Sequence, residues 1–153
     1  MSARERGEEW LRERGLVIRE PVQPELPELP HDLTALDGTQ LSVLHTELAA
    51  WCDYAESLLG GEFVDEREQD TRVSRLQHRC ALSVQAKTIT AAKAMAAIDP
   101  AVMAAEDEAL EVYSRRKQLE GAVEATRRRL TVVSRQITMR TSRDGASAGR
   151  WTP

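Results

Sequence analysis

From Pro100 to Thr141 the chain holds one unbroken seven-residue register, in which Val102, Ala105, Ala109, Val112, Arg116, Leu119, Val123, Thr126, Leu130, Val133 and Ile137 recur at alternating three- and four-residue steps. A stripe of that period belongs to an α-helix packed against a neighbour; a strand would alternate every second residue. At 1.5 Å per residue it predicts a helix of roughly 60 Å. Asp99-Pro100 marks its start, because Asp is a good N-cap and Pro is at home in the first helical position. Gly121 is the only residue inside it that seriously weakens helix propensity, by about 1 kcal/mol. So slim a stripe on so long an element needs another helix beside it.

Upstream residues supply candidates. A helix is predicted from Asp37 or Thr39 to Leu59, with Leu41, Leu44, Leu48, Trp51, Ala55 and Leu58 on one face and Gly60-Gly61 as its C-cap. Asp37 and Gln40 have the spacing of a capping box. A second is predicted over 65–98, carrying Val73, Leu76, Cys80, Val84, Ala91, Met95 and Ile98, and its alanine-rich half ITAAKAMAAI allows close approach. The expected fold class is all-α: a short first helix, then a long antiparallel helical hairpin of coiled-coil character.

Two segments flank this helical domain of residues 37–143. Residues 1–36 comprise a short amphipathic helix, Arg4 to Arg14, ended by Gly15, and then PVQPELPELP. There Pro21, Pro24, Pro27 and Pro30 at three-residue spacing favour an extended polyproline-type strap. Residues 144–153, DGASAGRWTP, read as a disordered tail whose one large apolar group is Trp151.

With 153 residues and 4% aromatic side chains, one domain with a thin Ala/Leu/Val core is expected. Three slim stripes are hard to satisfy within one chain, so self-association into a homo-oligomer is expected as well. Cys52 and Cys80 make no disulfide framework and read as small apolar residues. The first residues are too charged for a signal peptide, and no apolar run approaches the ~20 residues of a membrane span. These features point to a soluble protein of the cytoplasm.

No phosphate-binding loop, dinucleotide fingerprint, nucleophile elbow or zinc motif occurs, and His31, His45 and His78 lack metal spacing. Neither enzymatic activity nor a cofactor is therefore expected. Charge carries more information. Residues 1–38 hold 5 basic and 9 acidic groups, 39–64 hold 0 and 4, 65–111 hold 6 and 9, and 112–153 hold 10 and 3. Such a reversal implies either a basic surface for a polyanion or pairing with the acidic remainder. In the last helix the candidate phosphate contacts are Arg127, Arg128, Arg129, Arg135 and Arg140, since arginine's planar fork suits phosphate as well as carboxylate. The alternative is structural: the same arginines pair with acidic surfaces, either the acidic first helix or Glu106, Asp107, Glu108 and Glu111 of a neighbouring subunit. Arg116, lying in the apolar register, reads as a register-setting or interface charge.

The order of a tryptophan-bearing helix (LSVLHTELAAWCDYAESLL), an alanine-rich second helix and a third containing YSRRKQLEGAVEATRRRLTVVSRQIT resembles small helical proteins of tailed phages, and in layout the UvsY-type recombination mediators. The likeness covers residues 38–143 and rests on helix order and spacing. It implies an oligomeric single-stranded DNA binder, located in the host cytoplasm, that assists a RecA-like recombinase against single-strand-binding protein. The strap and the acidic N-terminal segment lie outside that layout. A virion-assembly or scaffold-like protein is the alternative within the same setting.

Overall fold

The structure, a computed structural model, describes residues 1–148 except Ile18, Gln23 and Pro24, and gives the backbone alone for 144–148. Four helices follow in order: α1 (Ala3–Glu13), α2 (Gly38–Ser83), α3 (Ile89–Ala97) and α4 (Pro100–Ala148). There is no strand among the described residues, and the fold is the expected all-α helical hairpin, with α2 and α4 as its arms. No helix among the described residues is long and apolar enough to cross a membrane.

The sequence signals at the hairpin's ends act as expected. Asp37 and Gln40 form a reciprocal capping box, each side chain accepting from the other's backbone N–H at 2.8 Å. Asp99 accepts from the Ala101 N–H at 2.8 Å and so caps α4. Gly15 ends α1 with φ of 69°, while the Leu16 and Gly15 N–H groups donate to the Leu11 and Arg12 carbonyls in a Schellman motif.

Three boundaries differ from expectation. Gly60-Gly61 does not stop a helix: α2 runs through both residues, and neither adopts a positive φ. Two interior glycines cost about 2 kcal/mol together, less than the packing gained by continuing along α4. Gly61 also has a use, because a Cβ there would lie 2.9 Å from the Arg4 guanidinium. By contrast a Cβ at Gly60 or at Gly121 would meet nothing within 4 Å. Gly60→Ala and Gly121→Ala are each expected to stabilise the protein by roughly 0.5–1 kcal/mol, read as a higher urea midpoint.

The helix expected over 65–98 is interrupted between Ser83 and Ile89. Thr88 takes an extended conformation (φ −141°, ψ 155°) and its side chain accepts from the Ala91 N–H, so it acts as N-cap instead of helix interior. The break resets the register: Ala96 is buried, whereas Ala91, Met95 and Ile98, expected inside, face out. Finally, α4 continues past Thr141 to Ala148, so residues 144–148 of the expected disordered tail are helical. No proline intervenes there, and Gly145 alone costs only about 1 kcal/mol. Trp151 and Pro24 lie outside the described residues.

The chain divides into two compact units, Met1–Val17 with Leu58–Glu120, and Ile18–Ser57 with Gly121–Pro153. In the first, Arg116, Glu108 and Glu106 of α4 meet Glu66, Arg72 and Gln77 of α2, so numbers rise on one helix as they fall on the other. Here α1, capped by a Ser2–Glu5 box, is held to α2 by Arg4, which donates to Asp65 and Glu8 at 2.9 Å each. In the second unit, Leu41, Leu44, Leu48 and Val133 form a buried cluster, covered by Leu26, Leu29, Leu33 and Leu36 of the strap and by Leu130 and Ile137. The described part of the strap is thus a lid on the hydrophobic seam.

Candidate nucleic-acid interface

Every residue of the α4 register is buried or half-buried, Val102, Ala105, Val123, Thr126 and Val133 almost completely. Thr126 satisfies its hydroxyl by donating to the Ala122 carbonyl at 2.8 Å. The stripe determines where the neighbouring arginines point, since residues on its borders reach across to whatever packs against α4.

Three of the five candidate phosphate contacts are engaged within their own unit. Arg127 donates from Nε to Glu56 at 2.8 Å. Arg129 donates to the Pro27 carbonyl at 3.2 Å, and Arg140 to the Leu33 and Thr34 carbonyls at 3.2 and 2.8 Å. Asp32 shapes that turn, accepting from the Thr34 N–H at 2.8 Å and its hydroxyl at 2.6 Å. The strap has no ladder to join, so its carbonyls need donors, and arginines on the stripe border supply them. Arg128 reaches only the Glu124 carbonyl at 3.4 Å. Arg128 and Arg135 are exposed and have no ion pair among the described residues.

The Arg127–Glu56 pair is partly exposed on both sides. Its hydrogen bond raises the Arg127 guanidinium's pKa and, as the main cause, holds the Glu56 carboxyl below its ordinary value, with the Cys52 thiol a second donor. Cys52 itself is pushed up, first by burial and then by Glu56. A carboxyl depressed in the folded state contributes stability above the unfolded value of about 4.3, lost as pH falls through the folded value. The stability gap between wild type and Arg127→Ala should accordingly be full at neutrality and shrink at about pH 3, as urea melts at the two pH values can check.

Arg116 occupies an apolar register position and is nearly buried. Its Nη2 donates to Glu66 at 3.3 Å and Nη1 to Glu120 at 3.2 Å. Its Nε touches the other Glu66 oxygen, but the N–H is not aligned for a hydrogen bond. The guanidinium also lies 4.8 Å from the Phe63 ring centre and 5.2 Å from that of Tyr113. Tyr113 is exposed, whereas Trp51, expected on the apolar face of its helix, is half-buried and meets Tyr54 edge-on at 6.0 Å. His45 is half-buried, with Nε2 at 2.9 Å from the Ser134 hydroxyl.

A second basic surface lies in the first unit, where the sequence balance is acidic. Arg6, Arg67, Arg72, Arg75 and Arg79 rim a groove of about 1000 Å³ whose floor includes Val64, Leu76, Ala101, Ala104 and Ala105. Net charge per segment concealed it, because most of the interleaved acids, Glu68 and Glu108 excepted, lie outside its lining. The spacing of Arg72, Arg75 and Arg79 places these three within about 60° of one another on α2, with Arg67 about 80° from Arg75, and was the available signal. Among the described residues no group of His, Cys, Asp and Glu is placed to hold a metal ion. Comparison of the chain with protein-family models, with curated proteins and with solved structures yields no match.

Proposed function

We propose that this protein is a non-enzymatic helical assembly protein that works by presenting surfaces to other proteins. One observation carries the reading: Arg127, Arg129 and Arg140 are committed to Glu56 and to strap carbonyls, which favours structural pairing over polyanion binding for most of the basic ridge. Large apolar side chains left at the surface, among them Val43, Leu82, Ile89, Ile98 and Leu110, are consistent with further partners. In the tailed-phage setting that the helix order resembles, this is a virion-assembly or scaffold-like role.

A second reading, the single-stranded DNA-binding recombination mediator acting with a RecA-like recombinase and single-strand-binding protein, retains one specific observation. Arg128 and Arg135 are seven residues apart and exposed. Two neutralised phosphates give a log-log salt slope of about −1.4 on single strands, five about −3.5. Filter binding of a labelled oligonucleotide at low salt tests both. No retention, with co-purification of capsid or tail proteins, supports the assembly role; salt-dependent retention replaces it with the mediator, and the slope counts the arginines used.

A further inference from the structure

The groove of the first unit has a fitting occupant in this same chain, and the inference rests on the assembly role just proposed. Arg67, Arg75 and Arg79 are exposed on its α2 rim and have no ion pair among the described residues, although Arg72 is held by Glu108. Arg6 donates only to the Met1 carbonyl. Between them the lining is alanine, valine, leucine, Phe63 and Thr71, with Glu68 and the Arg72-held Glu108 as its two carboxylates. Three unpaired cations around a mainly apolar floor ask for an apolar ridge that bears a carboxylate, because such a ridge supplies counter-charge at the rim and removes the floor from water.

α4 carries that ridge. Met103 and Leu110 are 52% and 64% exposed, seven residues apart on one face. Asp107 lies within about 60° of both round the helix and is exposed, without an ion pair among the described residues. From Met103 to Leu110 is about 10 Å along the helix axis, and the α4 edge of the groove, Ala101 to Glu108, is the same length. At 100° per residue the ridge points roughly 140° round α4 from Ala101, Ala104 and Glu108. A chain cannot fill its own groove with it.

We propose that the Met103–Asp107–Leu110 ridge of one copy docks in the Arg67/Arg75/Arg79 groove of a second copy. Because ridge and groove are different surfaces facing different ways, the contact is head-to-tail and leaves one of each free on every pair. It therefore propagates into a ring or an open chain and does not close as a two-fold dimer.

Sedimentation velocity on the full chain tests this with two double variants, Arg75→Glu/Arg79→Glu in the groove and Met103→Ser/Leu110→Ser on the ridge. All four side chains are exposed, so circular dichroism should match wild type. Wild type should sediment as species larger than a dimer that dissociate at 1 M salt, where charges are screened beyond about 3 Å. Each variant alone should be monomeric, and an equal mixture should form a heterodimer that grows no further, since it retains one working groove and one working ridge. A monomeric wild type overturns the proposal, as does an assembly indifferent to both variants. An oligonucleotide or an unrelated acidic helical peptide bound by wild type but not by the groove variant also overturns it. A monomer that ignores oligonucleotides and still co-purifies with capsid or tail proteins removes this contact alone; oligonucleotide retention removes the assembly role itself.

Discussion

Leu48→Ala is expected to lower the unfolding free energy by about 2–5 kcal/mol, among the largest effects of any single truncation in the chain. Leu48 is 0% exposed and packs in the cluster of Leu41, Leu44 and Val133, beneath the strap leucines. The core is thin: among the described residues only Leu41, Leu48, Val102 and Val133 are large side chains fully removed from solvent. Few neighbours are therefore available to refill the space left by an isobutyl group, and lost transfer energy adds to a cavity term. The strap has no ladder bonds to hold it away, so its leucines can sink part of the way in, which places the result in the lower half of that range. A urea melt should show the midpoint falling with an unchanged slope. Leu82→Ala, at an 88% exposed position of the same helix, should stay within about 0.5 kcal/mol of wild type. A Leu48→Ala midpoint equal to that of Leu82→Ala would contradict the burial.

Arg116→Met should destabilise by about 2–3 kcal/mol, even though it restores an apolar residue to an apolar register. The methionine keeps much of the stem packing, but Glu66, four-fifths removed from solvent, loses its cation, and Phe63 loses the guanidinium over its ring. Breaking one side of a fully buried pair costs about 3–5 kcal/mol; the partial wetting of Glu66 reduces that. Replacing both partners, Arg116→Met with Glu66→Leu, should return stability close to wild type or above it, because two well-packed apolar groups replace two desolvated charges. The coupling energy of the four-member cycle should reach about 1–3 kcal/mol by urea denaturation. An additive double variant would show that the pair is not energetically linked. If the apolar pair is as stable as wild type, the arginine's contribution is to register, since a lone buried charge in a coiled-coil seam penalises every alignment that leaves it unpaired.

Much of the architecture could be read directly from residue order. The capping signals at Asp37–Gln40 and Asp99-Pro100 are local, involving side chains within three residues of the backbone they satisfy. The α4 register could be read for a similar reason: a period of 3.5 recurring through ten steps needs no knowledge of the partner helix. At Gly60-Gly61 and at Thr88 the local signal conflicts with its surroundings. Two glycines announce a stop, yet continued packing on α4 and the close approach of Arg4 keep the helix intact. Thr88 sits in an alanine-rich run that announces continuation, yet its hydroxyl caps a new helix.

The candidate site was legible as a list of basic residues and illegible as a surface. Arg127 finds Glu56, 71 positions away, Arg129 finds Pro27, 102 away, and Arg140 finds Leu33, 107 away. No window along the chain contains both members of any of these pairs. The groove arginines failed in the opposite direction: averaging charge over 65–111 cancelled Arg67, Arg75 and Arg79 against acids most of which, Glu68 and Glu108 excepted, lie outside the groove.

Residue order by itself determined that this protein is helical, where α2 and α4 begin, and which stripe of α4 is hidden, because capping and periodicity act over one or two turns. Tertiary structure alone decided which arginines are free, since that depends on carbonyls and carboxylates brought near by folding. A guanidinium beside a strap carbonyl and one facing water are the same residue in the sequence; only the fold gives them different partners.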